Sequence, residues 1–284
     1  MSLRHWAVAA ISGLGLSWSL AGHAQTPSPL PEWEYSAGIG LREYFQPNPP
    51  KWQTELGIGV ATQPDYDGSS HYEIVPAPSF DVRYYNLAFL SIGEGLGINV
   101  FHGKTYRVGA AITYNLGRKL NNDIRLTTQR RVSPTAEFKL FGEYVIFPVV
   151  LRVDVRQALN GGYSGFVGDF SAYMPVAGSR KYKYFVFAGP AVTFGSGQYM
   201  SHFFGVDAEQ AKESGLPEST AKGGIKSVSF GVNASWFFHG SWFVNGAGAV
   251  NRLLGDAAQS PFTQEKTQLT LNFTIGYLFG GSGI

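Results

Sequence analysis

The last long segment of the chain, Thr267 to Phe279, sets Leu269, Leu271, Phe273, Ile275, Tyr277 and Phe279 against Gln268, Thr270, Asn272, Thr274 and Gly276. A two-residue period of this kind marks a strand with one apolar face. The same alternation runs through Tyr106 to Leu116 and through Val228 to Phe238. Read throughout, the pattern predicts twelve strands, with ten as the alternative count: 52 to 62, 74 to 85, 87 to 92, 95 to 101, 105 to 116, 134 to 147, 149 to 157, 164 to 174, 181 to 194, 225 to 238, 242 to 252 and 267 to 279. Strands of about ten residues, greasy on one side and aromatic near their ends, suit a lipid-facing barrel wall. Half-buried strands of a soluble sandwich alternate as well, so the period alone does not choose between the two.

Two other patterns favour the barrel. With both chain ends on the periplasmic side, the long connections 63 to 73, 117 to 133, 195 to 224 and 253 to 266 all face outward. The connections at Asn86, His102 to Lys104, Pro148, Pro175 to Arg180 and His239 to Ser241 face inward and are short, which is the asymmetry of outer-membrane barrels. Opposite the apolar stripes stand Asp81, Arg83, Arg107, Lys139, Glu143, Arg152, Asp154 and Arg156. A sandwich core would bury these at high cost, whereas a barrel points them into a polar lumen. Their mixed signs predict ion pairs across a lumen that is at least partly filled.

Composition agrees with this picture and removes other classes. Charged residues make up 15%, against about 25% in an ordinary soluble domain, and no apolar run of about 20 residues could span a bilayer as a helix. The absence of Cys excludes disulfides and thiolate chemistry, and a net charge of +2 does not suggest nucleic acid. Arg4 and His5, the apolar run Trp6 to Leu20, and Gly22-His23-Ala24 together read as an export signal, with residues 1 to 24 removed. Residues 25 to 51, Pro-rich at both ends, are expected to form a periplasmic tail or plug. Residues 52 to 279 form the barrel, and 280 to 284 a flexible tail.

The order of several short pieces resembles the MipA/OmpV family of outer-membrane proteins from about Glu55 to Phe279. They are Leu56 to Val60, Pro64-Asp65-Tyr66-Asp67-Gly68-Ser69, Pro76-Ala77-Pro78, Gly117-Arg118, Phe203-Phe204-Gly205-Val206, Ser214-Gly215-Leu216-Pro217, Arg252-Leu253, Asp256 to Pro261 and Tyr277-Leu278-Phe279. The family pattern often has Tyr where Phe203 or Phe204 stands, and its members usually stop at the final Phe. The resemblance implies an all-β transmembrane barrel in the outer membrane, of Gram-negative type, linked to peptidoglycan remodelling. It implies a scaffold, not an enzyme, that holds a murein lytic transglycosylase and a bifunctional penicillin-binding protein. A narrow channel or porin is the alternative; a hydrolase or an adhesin is a weaker one.

No catalytic, cofactor or metal site is expected. His71, His102, His202 and His239 show no HxxxH or HExxH spacing. Ser201, His202 and Asp207 are the nearest approach to a hydrolytic set, but in an extended loop Ser201 and His202 would face opposite ways. Residues 208 to 215 read as a short helix, either a lid over the mouth or a surface element. Arg118, Lys119, Arg125, Arg130 and Arg131, with Asp123 as the lone acid, form a basic outer loop that either meets lipopolysaccharide phosphates or is simply solvated. Asp67-Gly68 supplies turn chemistry, and the Gly57 to Gly59 and Gly246 to Gly248 pairs lie in strands and so are not nucleotide loops.

Overall fold

A computed structural model describes residues 50–118 and 132–280. The export signal, most of the N-terminal segment, the loop residues Lys119 to Arg131 and the tail beyond Gly280 lie outside the described residues.

The strands are β1 (Trp52–Pro64), β2 (Tyr72–Pro76), β3 (Ser79–Tyr84), β4 (Ala88–Ser91), β5 (Gly95–His102), β6 (Tyr106–Asn115), β7 (Thr135–Ile146), β8 (Val149–Ala158), β9 (Phe166–Ser179), β10 (Tyr184–Gly195), β11 (Gly224–Phe238), β12 (Trp242–Leu253) and β13 (Thr267–Phe279). Apart from β2 and β3, which do not pair with each other, each strand pairs antiparallel with its sequence neighbours, and β13 closes on β1 through Thr54↔Phe279 to Thr62↔Leu271. β2 and β3 occupy successive parts of one wall strand, since both pair with β1, at Val60↔Pro76 and Leu56↔Phe80. The result is a closed twelve-stranded antiparallel barrel, as the alternation predicts.

The apolar stripes face outward. Ile58, Ile74 and Phe273 are 75%, 76% and 53% exposed, which in water would be a large unsolvated patch and in a membrane is the lipid contact. Aromatics crowd the short-turn end, where Trp52 meets Tyr84 at 4.7 Å and Trp242 meets Tyr277 at 5.3 Å between ring centroids. Rings of this kind prefer the interfacial zone.

Two boundaries differ from the sequence reading. β9 runs on through Pro175 to Ser179, moving the turn to Arg180–Lys183, because a register shift at Val186/Phe187 lets the strand pass the proline. The expected strand 74 to 85 is broken at Ala77-Pro78. Its neighbour β4 has only 4 residues and turns at Ile92–Glu94 into Gly95, whose φ of +87° and contact with the Ile112 carbonyl leave no room for a Cβ.

Candidate functional site

The interior holds three layers. At the short-turn end, inward-facing Phe237, Phe243 and Leu278 pack together with Phe185, and Val145, Val150, Tyr173 and Phe187 pack beside them. The alternation gives each strand a single apolar face and so does not predict this apolar floor.

Above it lies the charged layer, where all eight predicted charges are buried. Arg107 donates to Glu94 at 2.7 Å and to Glu143 at 2.6 Å. Arg152 stands 3.4 Å from the same two carboxylates, and Arg83 binds Asp81 at 2.7 Å and Glu94 at 3.3 Å. Arg156 lies 3.2 Å from Asp154 and also pairs with Asp169, which accepts from Thr193. The guanidiniums of Arg83 and Arg107 further lie over the rings of Phe89 and Phe141. Glu94 is the hub, 1% exposed, and its own amide donates to Ser91 Oγ. It sits in a turn, where alternation assigns no face, so the strand pattern could not mark it. The pairs span β3 to β10 and lock neighbouring strands by charge-assisted bonds. On the far side, β11, β12, β13 and β1 present Asn233, Asn245, Ala247, Gly59, Ala61, Thr270 and Asn272, which are small or neutral.

The third layer closes the outer mouth. Three short helices lie there: α1 (Gly197–Phe204), α2 (Ala208–Ser214) and α3 (Gly255–Gln259). Ser196 caps α1 by accepting from Tyr199 N, and the same oxygen accepts from Phe166 N at 2.9 Å, fastening the helix to β9. Its inner face, Tyr199, Met200, Phe203 and Phe204, packs on Tyr163, Val167, Leu253 and Ala257. Arg118 donates to the Phe203 carbonyl at 2.9 Å, Ser260 Oγ to the Phe204 carbonyl at 2.8 Å, and Phe262 lies under the guanidinium. Burial pushes the Arg118 pKa down to about 10, against the weaker opposing pull of Tyr66 and Asp67. Tyr163 donates to Glu137 at 2.6 Å; burial and that carboxylate hold its hydroxyl well above the usual phenol range, so it stays a donor. The 65–71 loop joins the cap where Gln264 N donates to the Gly68 carbonyl at 2.7 Å and Lys226 binds Asp67 at 2.8 Å.

Almost every outer-loop piece behind the family resemblance therefore meets at this one place: Tyr66-Asp67-Gly68, Arg118, Phe203 to Val206, Leu216, Leu253 and Ala257 to Phe262. The family described as MltA-interacting protein MipA matches the chain over residues 56–279. The chain belongs to the MipA family. Within that family frame it is an outer-membrane barrel protein. Similar solved structures include in-vitro folded OmpT of Vibrio cholerae, at 9% identity over 82% of this chain and 99% of that one, TM-score 0.36. The CymD monoaromatic hydrocarbon channel is 10% identical over 86% and 94%, TM-score 0.40. No curated protein matches the chain.

Several sequence expectations about this mouth need correcting. Ser201 and His202 lie on helix α1 and not in an extended segment; Ser201 is exposed while the His202 ring leans on Tyr163. Asp207 serves as the N-cap of α2, accepting from Gln210 N at 2.9 Å in a reciprocal capping box. The lid is α1, which the sequence pattern does not mark, whereas α2, the helix expected at 208 to 215, buries none of its own residues. Arg118 is not part of a surface cationic cluster, because the cap covers it. The other members of that cluster lie outside the described residues. Among the described residues no group of three or more His, Asp or Glu is placed to hold a metal ion.

At the opposite end the short turns carry Lys104, Arg180, Lys181 and Lys183, with Lys51 beside them, and no Asp or Glu among the described residues. That rim is cationic.

Proposed function

We propose that this MipA-family barrel is an outer-membrane interaction protein for peptidoglycan remodelling, holding a murein lytic transglycosylase and a bifunctional penicillin-binding protein at its periplasmic rim. The observation that carries the reading is the family match, whose description names an interaction with MltA. The filled interior supports it: a lumen packed by an apolar floor, an ion-pair layer and a helical cap is suited to rigidity more than to passage. The cationic rim suits an acidic partner surface, since opposite potentials speed encounter and fix orientation. The test is affinity capture from detergent-solubilised outer membrane. A lytic transglycosylase should be recovered with the wild type and diminished with Lys104, Arg180, Lys181 and Lys183 changed to Glu. Recovery of no murein enzyme by the folded wild type overturns the reading.

A further inference from the structure

The barrel wall is not equally tall all round. A tilted strand needs about 9–11 residues to cross the hydrocarbon layer. β4 has 4 residues and β5 has 8, while β6 continues to Asn115 beyond its last pair with β5, Leu96↔Ile112. On the other flank β2 rises alongside β1 to Tyr72↔Pro64, and among the described residues no strand pairs with its far edge. Among the described residues the wall above the β4–β5 turn therefore has a gap, floored by Ile92, whose carbonyl accepts from Tyr114 Oη at 3.0 Å.

An unpaired strand edge at membrane depth is expensive because orphan amides find no partner in hydrocarbon. The sequence lowers that cost here. Ala77 N donates to the Gly59 carbonyl, toward β1, so the amide positions of Pro76 and Pro78 point the other way, into the gap. Neither carries a hydrogen. The Pro-Ala-Pro piece is thus an edge guard: it removes the two gap-facing donors nearest the β4–β5 turn and leaves a further strand, from a peptide or from a second copy, fewer ladder bonds to form. Around the gap the outward side chains are apolar and exposed: Ile74, Pro76, Pro78, Leu96, Ile112 and Leu116. Behind it, inward-facing Gly59, Ala61, Gln63, Val75, Thr270 and Asn272 are only half-buried, unlike the sealed charged side.

We infer that this gap is a lateral opening through which an acyl chain of an outer-leaflet lipid reaches the space behind β1 and β2. A hydrocarbon chain is the occupant that needs no donors, matches the apolar rim and is already present at that depth. Axial entry is closed by the floor and the α1 cap.

The experiment reconstitutes the full mature chain in phosphatidylcholine vesicles doped with a lipid bearing a diazirine on its acyl chain. Illumination is followed by peptide mass mapping. Adducts are expected on inward Ala61 and Val75 as well as on outward Ile58 and Phe273. Val75→Trp, verified as folded by its heat-modifiable gel mobility, should fill the opening and abolish inward adducts while leaving outward ones unchanged. Labelling confined to outward residues overturns the inference. So does inward labelling that survives Val75→Trp, which would mean entry through the mouth. Inward labelling that appears only after deletion of residues 25 to 49 also overturns it, because the chain itself would then fill the gap.

Discussion

Arg107 and Arg118 are both buried arginines, and their surroundings give opposite consequences. Arg107 lies between Glu94 and Glu143, so Arg107→Met takes from both buried carboxylates their nearest cation, leaving only the longer contacts of Arg152 and Arg83. It should cost up to about 3–5 kcal/mol, lowering the urea midpoint of the folded barrel followed by tryptophan fluorescence. Arg118 has no carboxylate within ion-pair distance among the described residues and rests on one carbonyl and one ring. Its folded pKa of about 10 lies below its unfolded value, so the charged form disfavours folding. That cost is complete below pH 10 and fades as pH rises through it. Arg118→Met should therefore leave the midpoint unchanged or raise it; a loss as large as that of Arg107→Met would contradict this account. Sequence parity placed Arg107 correctly because a strand residue has only two faces. It assigns no face to Arg118, which follows the end of β6, where no period operates.

At the scale of elements, the strands were legible and the cap was not. Leu269 to Phe279 needs no knowledge of its neighbours to be read as a wall strand, since one face must meet lipid whatever pairs with it. Helix α1 buries Tyr199, Met200, Phe203 and Phe204 against loops from four other parts of the chain, so its apolar face has meaning only once the barrel brings those loops together. The anchor of that helix is Ser196, which caps it and also holds the start of β9. Ser196→Ala should cost about 1–2 kcal/mol, seen as faster amide hydrogen exchange across Gly197–Phe204 with the strand amides unaffected. Exchange that rises equally in β12 and β13 would mean the cap is not a separate cooperative unit. The break at Ala77-Pro78 was visible as two prolines, but its role depends on β4 being short, which the strand pattern left imprecise.

For the whole molecule, closure makes the greasy faces face outward together and the charges face inward together. Floor, charged layer and cap then close the axial path. Planar-bilayer recordings of the reconstituted protein should be silent under applied voltage; stable conductance steps would show a continuous aqueous path and favour a narrow channel. If the recordings are silent and a murein enzyme is captured at the rim, the barrel acts as a fixed platform. The cationic Lys104, Arg180, Lys181 and Lys183 are then the residues to vary first.

The chain alone pointed to twelve strands, the two-faced wall, the grouping of long connections at one end and short ones at the other, and the inward placement of eight charges. Each of these follows from a local period or from the lengths between periods. Only the tertiary structure decided that Glu94 joins three arginines, that Arg118 lies beneath a helix, that Phe237 and Phe243 seal one end and that no strand among the described residues pairs with the far edge of β2. Those facts depend on which residues closure brings opposite one another across the lumen, and a one-dimensional pattern carries no information about partners separated by half the circumference of a barrel.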